Sequence, residues 1–271
     1  MSDTVLAVLF SGGTDSTYAA WSQIPKYDKI HLVTFQRKGL LKPENTNIAV
    51  SRLKKAFPDK EILSHYVDYE KIYQKVIPNR EKIEIQQDLL CRKIDPLWVN
   101  RHGQSHGQKK YDEDKEKLFL TNECLQCKVA MYLAAIKFCK ENDIQNLCDG
   151  SNTEQLDDGS QLEDVKKNAQ DFFKRCGIIF FSPAFYISAE ERCKTLYQAK
   201  ITDHPNHKSI EKAHKIPSRQ IQCTDPSAVL WTTCVFPWIV YDGKSCNDYV
   251  EMSVNFFNAT MEKGLKILDL I

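Results

Sequence analysis

Six consecutive apolar residues, Val5 to Phe10, run directly into Ser11-Gly12-Gly13-Thr14-Asp15-Ser16, and a short helical pattern follows from Thr17 to Ile24. An apolar run without polar alternation reads as a strand buried on both faces, the parallel-sheet kind. A strand that turns through two glycines into a helix start is a ready anion site. Successive N–H groups point outward there, the helix dipole is positive, and the missing side chains let phosphate oxygens reach the main chain. Ser11, Thr14 and Ser16 add hydroxyl donors. Asp15 would repel a phosphate unless a divalent cation, Mg²⁺ by its taste for oxygen ligands, bridges the two. The same six residues also suit a plain strand–turn–helix corner with a capping serine and no ligand. The lysine of a Walker A loop is missing, and so is the spacing of a Rossmann turn.

The pattern after this loop alternates. Lys29 to Phe35 is a second strand, Asn45 to Phe57 a helix, and Glu61 to Val67 a third strand. This β-α-β-α-β opening predicts an α/β fold: a doubly wound, mostly parallel five-stranded sheet of order 3-2-1-4-5 with helices on both faces. Asn146 to Asp149 and Ile178 to Phe181 supply the remaining two strands. In such a sheet, ligands sit outside the carboxyl ends of the strands at the switch point. Phe35 would then lie beside the phosphate loop, and the loop after the fourth strand, Gly150-Ser151-Asn152 with Asp157 and Asp158, would face it across one crevice. Gly150, Asn152 and the acidic pair suit ribose, adenine or Mg²⁺; alone, they would pass for an ordinary polar turn.

Between the third and fourth strands, Tyr69 to Val99 reads as helix broken at Pro78 and Pro96, and Arg101 to Lys117 as a solvated loop or lid. Thr121 to Asn142 is the longest helix, with Asn122 as its cap and Ala130, Leu133, Ala134, Ile136, Lys137 and Phe138 in an amphipathic pattern. Near its start stand Cys124 and Cys127, followed by Lys128. Thiols three apart at a helix start share a face and favour the thiolate; they also fit the bland role of small buried residues. A metal or cluster needs a third ligand, and Cys223 and Cys234 are the candidates, Cys223 first. Cys91, Cys139, Cys148, Cys176, Cys193 and Cys246 read as packing residues. The helix start is expected across the sheet from the phosphate crevice unless the preceding loop folds back.

Leu162 to Lys174 and Ser188 to Ala199 are further helices, Ser188 capping the second. His204 to Arg219 gathers basic residues that suit phosphate or an RNA backbone as well as open solvent, and Tyr249 to Leu268 closes the chain as a helix. Residues 1–200 form the nucleotide-binding body and 201–271 a C-terminal extension packed on it. With 271 residues, 42% of them hydrophobic, and a net charge of +1, there is no general drive toward nucleic acid or membrane. The start of the chain lacks a signal peptide, and ten cysteines then argue for reduced thiols in the cytoplasm.

With SGGTDS, CLQCK heading a helix, and DGSNTEQLDD after the next strand, the chain resembles the PP-loop ATP pyrophosphatases, the adenine nucleotide alpha hydrolase-like superfamily. Within it, the resemblance is to ATP-dependent sulfur transferases, the tRNA thiolation and LarE-like enzymes, and runs from Val5 to about Asp158. It implies an enzyme that binds ATP with Mg²⁺, adenylates a substrate oxygen and releases pyrophosphate. Sulfur then displaces AMP. Ser11, Gly12, Gly13, Thr14, Asp15 and Ser16 would hold the phosphates, with Asp15, Ser16 and Cys127 in the chemistry. Cys124, Cys127 and Cys223 would hold an iron–sulfur cluster or Zn²⁺. The implied acceptor is a tRNA or a small molecule, the sulfur donor is unnamed, and a homodimer is compatible. Relatives often carry a basic residue early in the helix after Ser182-Pro183. That place here is Ala189, with Arg192 and Lys194 further on. Two rivals stand beside this reading. One is an amidating ligase resembling 7-cyano-7-deazaguanine synthase, with structural zinc; the other is a non-catalytic adenine-nucleotide sensor.

Overall fold

The apolar run at the start of the chain forms the middle of the sheet. In the structure, a computed structural model that describes residues 4–37, 40–41, 43–77, 123–154, 159–203, 222–223 and 242–271, Val5–Leu9 is strand β1. It pairs in parallel with β2 (Lys29–Gln36) on one side, Val5 opposite Lys29, and with β5 (Asn146–Cys148) on the other, Leu6 opposite Asn146. Outside these lie β4 (Glu61–Asp68) and β6 (Ile179–Phe181), giving the five-stranded order β4-β2-β1-β5-β6. Every pairing within this sheet is parallel. This is the expected doubly wound arrangement. A small antiparallel pair, β3 (Leu40–Leu41) with β7 (Gln222–Cys223), was not anticipated, because two residues carry no periodicity.

Alternation along β1 explains why a continuous apolar run was needed. Ala7 and Leu9 enter one core, whereas Leu6 and Val8, with Phe10 beyond the strand, enter the other. On the second side lie α1 (Thr14–Gln23), α2 (Thr46–Ala56) and α6 (Ala189–Gln198), which supply Ala20, Leu53 and Leu196. On the first lie α3 (Glu70–Val76), α4 (Glu123–Glu141), α5 (Glu163–Arg175) and α7 (Cys246–Ile267). α7 packs on α4, and a side chain at Gly264 would collide with Leu133. Among the described residues, no helix is long and apolar enough to cross a membrane.

Three local readings are corrected. α1 begins at Thr14, three residues before the expected Thr17, because Gly13 caps it in an extended conformation. Asp15 and Ser16 therefore stand in the first helical turn. α4 is less one-sided than expected: Leu125, Gln126, Val129, Tyr132 and Ala135 are buried as well, since the helix lies between the sheet and α7. Lys137 instead points outward to Glu141, 3.7 Å away. Cys246, expected to pack, is exposed at the start of α7, whereas Cys139, Cys148 and Cys193 are buried as expected. Ser188 caps α6 by accepting from the Glu191 N–H. Asn122, Cys91, Cys234, the 101–117 loop and the basic stretch 204–219 lie outside the described residues.

One stacked pair, His31 buried and His65 half-buried, makes stability depend on pH. His31 on β2 stacks on His65 of β4, ring centroids 4.9 Å apart, with Phe138 edge-on to both. Burial, then His65 and Lys29 with Glu61 opposing, pulls the His31 imidazole down from 6.5 to about 4. Burial and then Lys29 lower His65 too. The unfolded chain therefore takes up a proton first. This contribution is complete above pH 6.5, is lost as pH falls toward about 4, and is flat below. His31→Phe, which keeps a ring but not the titration, is expected to lose less melting temperature across that window than the wild type. Parallel losses in the two proteins would rule His31 out as the cause.

Candidate functional site

The phosphate-loop sequence closes on itself. Gly12 takes a positive φ of 75°, which a side chain would resist, and passes the chain to Gly13. Ser16 Oγ accepts from the Ser11 N–H at 3.2 Å, shares a hydrogen bond with Ser11 Oγ at 3.1 Å, and donates to the Gly13 carbonyl at 3.3 Å. The Thr14 side chain hydrogen-bonds Cys193. Read from sequence, these hydroxyls were donors for phosphate; here they tie the loop. What faces outward instead is the helix start: the first ladder bond runs from the Thr17 N–H to Gly13, so the amides of residues 14–16 precede it.

Asp15 has protein partners on both oxygens. Oδ1 lies 2.8 Å from Arg192 Nε, and Oδ2 accepts from Asn152 Nδ2 at 3.0 Å. The Arg192 Nε–H is not aimed at an acceptor, so the first contact is one of charge rather than an aligned hydrogen bond. Arg192 is 2% exposed and reaches on to Glu154, 2.9 Å, and to the Ile187 carbonyl. Glu154 in turn accepts from the Ala189 N–H at the start of α6. The guanidinium thus sets a positive charge beside the Asp15 carboxylate. Asn152, expected at the nucleotide, is 2% exposed and orients Asp15.

Beside the loop opens a cavity of about 380 Å³. Ser11, Asp15 and Ser16 form part of its wall, and Gly150 and Ser151 face them. The two loops touch: a Cβ on Gly150 would lie 2.4 Å from the Ser16 nitrogen. Phe35, edge-on to Tyr69, and Leu40 line another side. Cys124, Cys127 and Lys128 line the same cavity. The expectation that the helix start lies across the sheet is wrong for a physical reason. A crossover helix runs antiparallel to its strands, so the start of α4 sits at their carboxyl edge. Gly12, Gly13, Thr14 and Asn152 are not among the residues that line the cavity. Asp157 and Asp158 fall outside the described residues.

Sequence reasoning missed Arg37, one residue past the end of β2. Its Nε and Nη2 donate to Cys127 Sγ at 3.1 and 2.7 Å, and its guanidinium lies over the Tyr73 ring at 4.4 Å. Burial opposes its charge, but Cys127 above all, then Tyr69 and Tyr73, hold its pKa above the ordinary value. For Cys223 the structure describes the backbone alone, paired opposite Leu40 of the cavity wall. Among the described residues, no three His, Cys, Asp or Glu side chains gather to hold a metal. Two thiols on one wall with a third cysteine brought to the neighbouring strand do fit the donor chemistry of a cluster or zinc.

Asp149, at the end of β5, was missed too. Its carboxylate accepts from Ser182 Oγ at 2.6 Å, Ser151 Oγ at 2.7 Å and Tyr132 Oη at 3.0 Å. Lys166 Nζ lies 3.0 Å and Lys128 Nζ 3.1 Å from Oδ2. Burial alone would raise this acid. The two ammonium groups and the hydroxyls outweigh burial and hold it well below the carboxylate range.

Among solved structures, the chain is similar to the U34-tRNA thiolase NcsA from Methanococcus maripaludis with its [4Fe-4S] cluster. Identity is 14%, with 96% of this chain and 72% of that one covered, at a TM-score of 0.40. It is also similar to a 4-thiouridine synthetase in complex with RNA and bound ATP, at 12% identity and a TM-score of 0.41. That match covers 97% of this chain and 53% of the synthetase, about half its length. No protein-family model matches the chain, and neither does any curated protein. At these values the likeness identifies no activity. What the site does has to come from its own residues.

Proposed function

We propose that this chain is an ATP-dependent adenylating enzyme of the PP-loop kind that prepares a substrate oxygen for replacement by sulfur. One observation carries the reading: the Ser11–Ser16 loop and the Cys124–Cys127 pair line a single cavity. The amides at the start of α1, with its dipole, hold the phosphates. The substrate oxygen attacks the α-phosphorus, the bond to the β-phosphate oxygen breaks, and pyrophosphate leaves with that electron pair. A sulfur nucleophile then attacks the activated carbon, the carbon–oxygen bond breaks, and AMP leaves. Cys127, held by Arg37, would carry that sulfur: its thiolate takes the outer sulfur of a donor persulfide and the donor thiolate leaves. Once that outer sulfur is bonded to carbon, the Cys124 thiolate attacks Cys127 Sγ, so that the S–S bond breaks and the product departs. A Cys124–Cys127 disulfide is left for an external thiol to reduce. Cys124, Cys127 and Cys223 would hold an iron–sulfur cluster or zinc, which when bound fixes sulfur or the thiolates in place. Gly150 shapes the opposite wall and Asn152 orients Asp15, and Asp157 and Asp158 are proposed for the same crevice. The acceptor we favour is a tRNA base carbonyl, from the resemblance of SGGTDS and CLQCK to tRNA thiolation enzymes.

The test is product analysis with ATP labelled at the α- and γ-phosphates, using bulk tRNA as acceptor. AMP and pyrophosphate are expected. ADP and phosphate would remove the chain from the adenylating group, and no turnover with stable ATP binding would favour a sensor.

A further inference from the structure

The cluster of Lys128, Asp149 and Lys166 has no part in the reaction so far. One carboxylate is shared by two ammonium groups, and the side chains of Lys166 and Lys128 are 6% and 12% exposed. Burial, the largest influence, brings Lys166 down to about 8 although Asp149 opposes it, and both ammonium groups stand at ion-pair distance from the one carboxylate, 3.0 and 3.1 Å. The cluster therefore carries one positive charge in excess. An excess charge in so buried a place is costly unless an opposite charge arrives. Among the described residues, the other carboxylate on the cavity wall, Asp15, is matched by Arg192. Lys128 is on the wall and Lys166 is behind it, so the excess charge faces the cavity.

We propose that Lys128 is the cation that contacts an anionic group in this cavity, and that Lys166 is a positioning residue that occupies Asp149 and leaves the charge of Lys128 available. The location narrows the anion. Lys128 follows Cys127 in the chain, and its Nζ donates to Ser151 Oγ at 3.2 Å. Ser151 follows Gly150, which abuts Ser16. Lys128 thus stands between the thiol and the phosphate loop. On the adenylating reading above, on which this step rests, the group in that place is the α-phosphoryl of the nucleotide, retained in AMP.

Titration calorimetry of the full chain with AMP and with inorganic pyrophosphate tests this. Lys128→Met is expected to weaken AMP about tenfold or more and pyrophosphate less, the scale of a lost charge-assisted hydrogen bond. Lys166→Met, which does not reach the cavity, is expected to weaken AMP as well, because Asp149 then neutralises Lys128. Adding Asp149→Asn to Lys166→Met restores the excess charge and is expected to bring AMP back to within about threefold of wild type. A merely structural Lys166 gives no such rescue. Unchanged AMP affinity in Lys128→Met, or a folded double variant no better than Lys166→Met, overturns the proposal. Should Lys166→Met fail to fold, Lys128→Arg and Lys128→Met decide: arginine keeps AMP and methionine loses it. A wild type that binds pyrophosphate through Lys128 but no AMP overturns the nucleotide reading and leaves the anion site standing. A wild type that binds neither anion overturns both.

Discussion

Gly150→Ala is expected to lower the melting temperature by roughly 2–10 °C and to slow ATP turnover about a hundredfold. The added methyl carbon would lie 2.4 Å from the Ser16 nitrogen, 2.6 Å from the Asp15 carbonyl carbon and 2.7 Å from the Ser16 Cα, against an ordinary contact of 3.4–4 Å. All three obstacles are backbone, so no side chain can rotate away. The strand that carries Asp149 and the helix start that carries Asp15 have to part by about 1 Å. Overpacking of this sort costs roughly 1–3 kcal/mol. Its larger effect is on geometry, because a shift of about 1 Å at a reacting centre is worth about a hundredfold in rate. Thermal unfolding and steady-state turnover measure the two parts separately. Wild-type turnover in a folded Gly150→Ala protein would show that the contact between the two loops does not shape the site.

That contact also marks how far the sequence could be read. The fold was legible because its signals are periodic: an uninterrupted apolar strand at Val5 to Leu9, regular spacing in α2, and β-α-β alternation that fixes the strand order. The loop was legible because two glycines between a strand and a helix have few other uses. The charges around it were not. Arg192 lies three residues past the place where a basic side chain was sought, and only the packing of α6 on α1 brings its guanidinium to Asp15. Arg37, Asp149 and Lys166 are charged residues in segments whose pattern is otherwise apolar or helical. Their partners are 90, 21 and 17 positions away in sequence (Cys127, Lys128 and Asp149), and no spacing rule connects such pairs. Arg192 beside Asp15 was unseen for the same reason: the charge of Asp15 pointed to a cation, and nothing in its spacing pointed to a distant arginine.

The cysteine pair gives the second large effect. Cys127→Ser is expected to reduce sulfur transfer to bulk tRNA by about a thousandfold or more, the scale seen when a covalent nucleophile is removed. The argument rests on where the sulfur is held. Two guanidinium N–H groups of Arg37 converge on it at 3.1 and 2.7 Å, and Arg37 is itself fixed over Tyr73. Paired donors of this kind favour a negative charge on sulfur, and the thiolate is the nucleophile. Cys139, further along the same helix, is the internal control: burial pushes its thiol up to about 12. In chelator-treated protein, so that no bound metal shields the sulfur, iodoacetamide should modify Cys127 well before Cys139, as read by peptide mass mapping. Arg37→Met should slow that modification about tenfold, the loss of one charge-assisted contact. On the proposed reading ATP protects Cys127, since the Ser11–Ser16 loop and Cys127 line one cavity. Equal rates in wild type and Arg37→Met would separate the guanidinium from the reactivity of the thiol, and sulfur transfer by Cys127→Ser at the wild-type rate would place the nucleophile elsewhere.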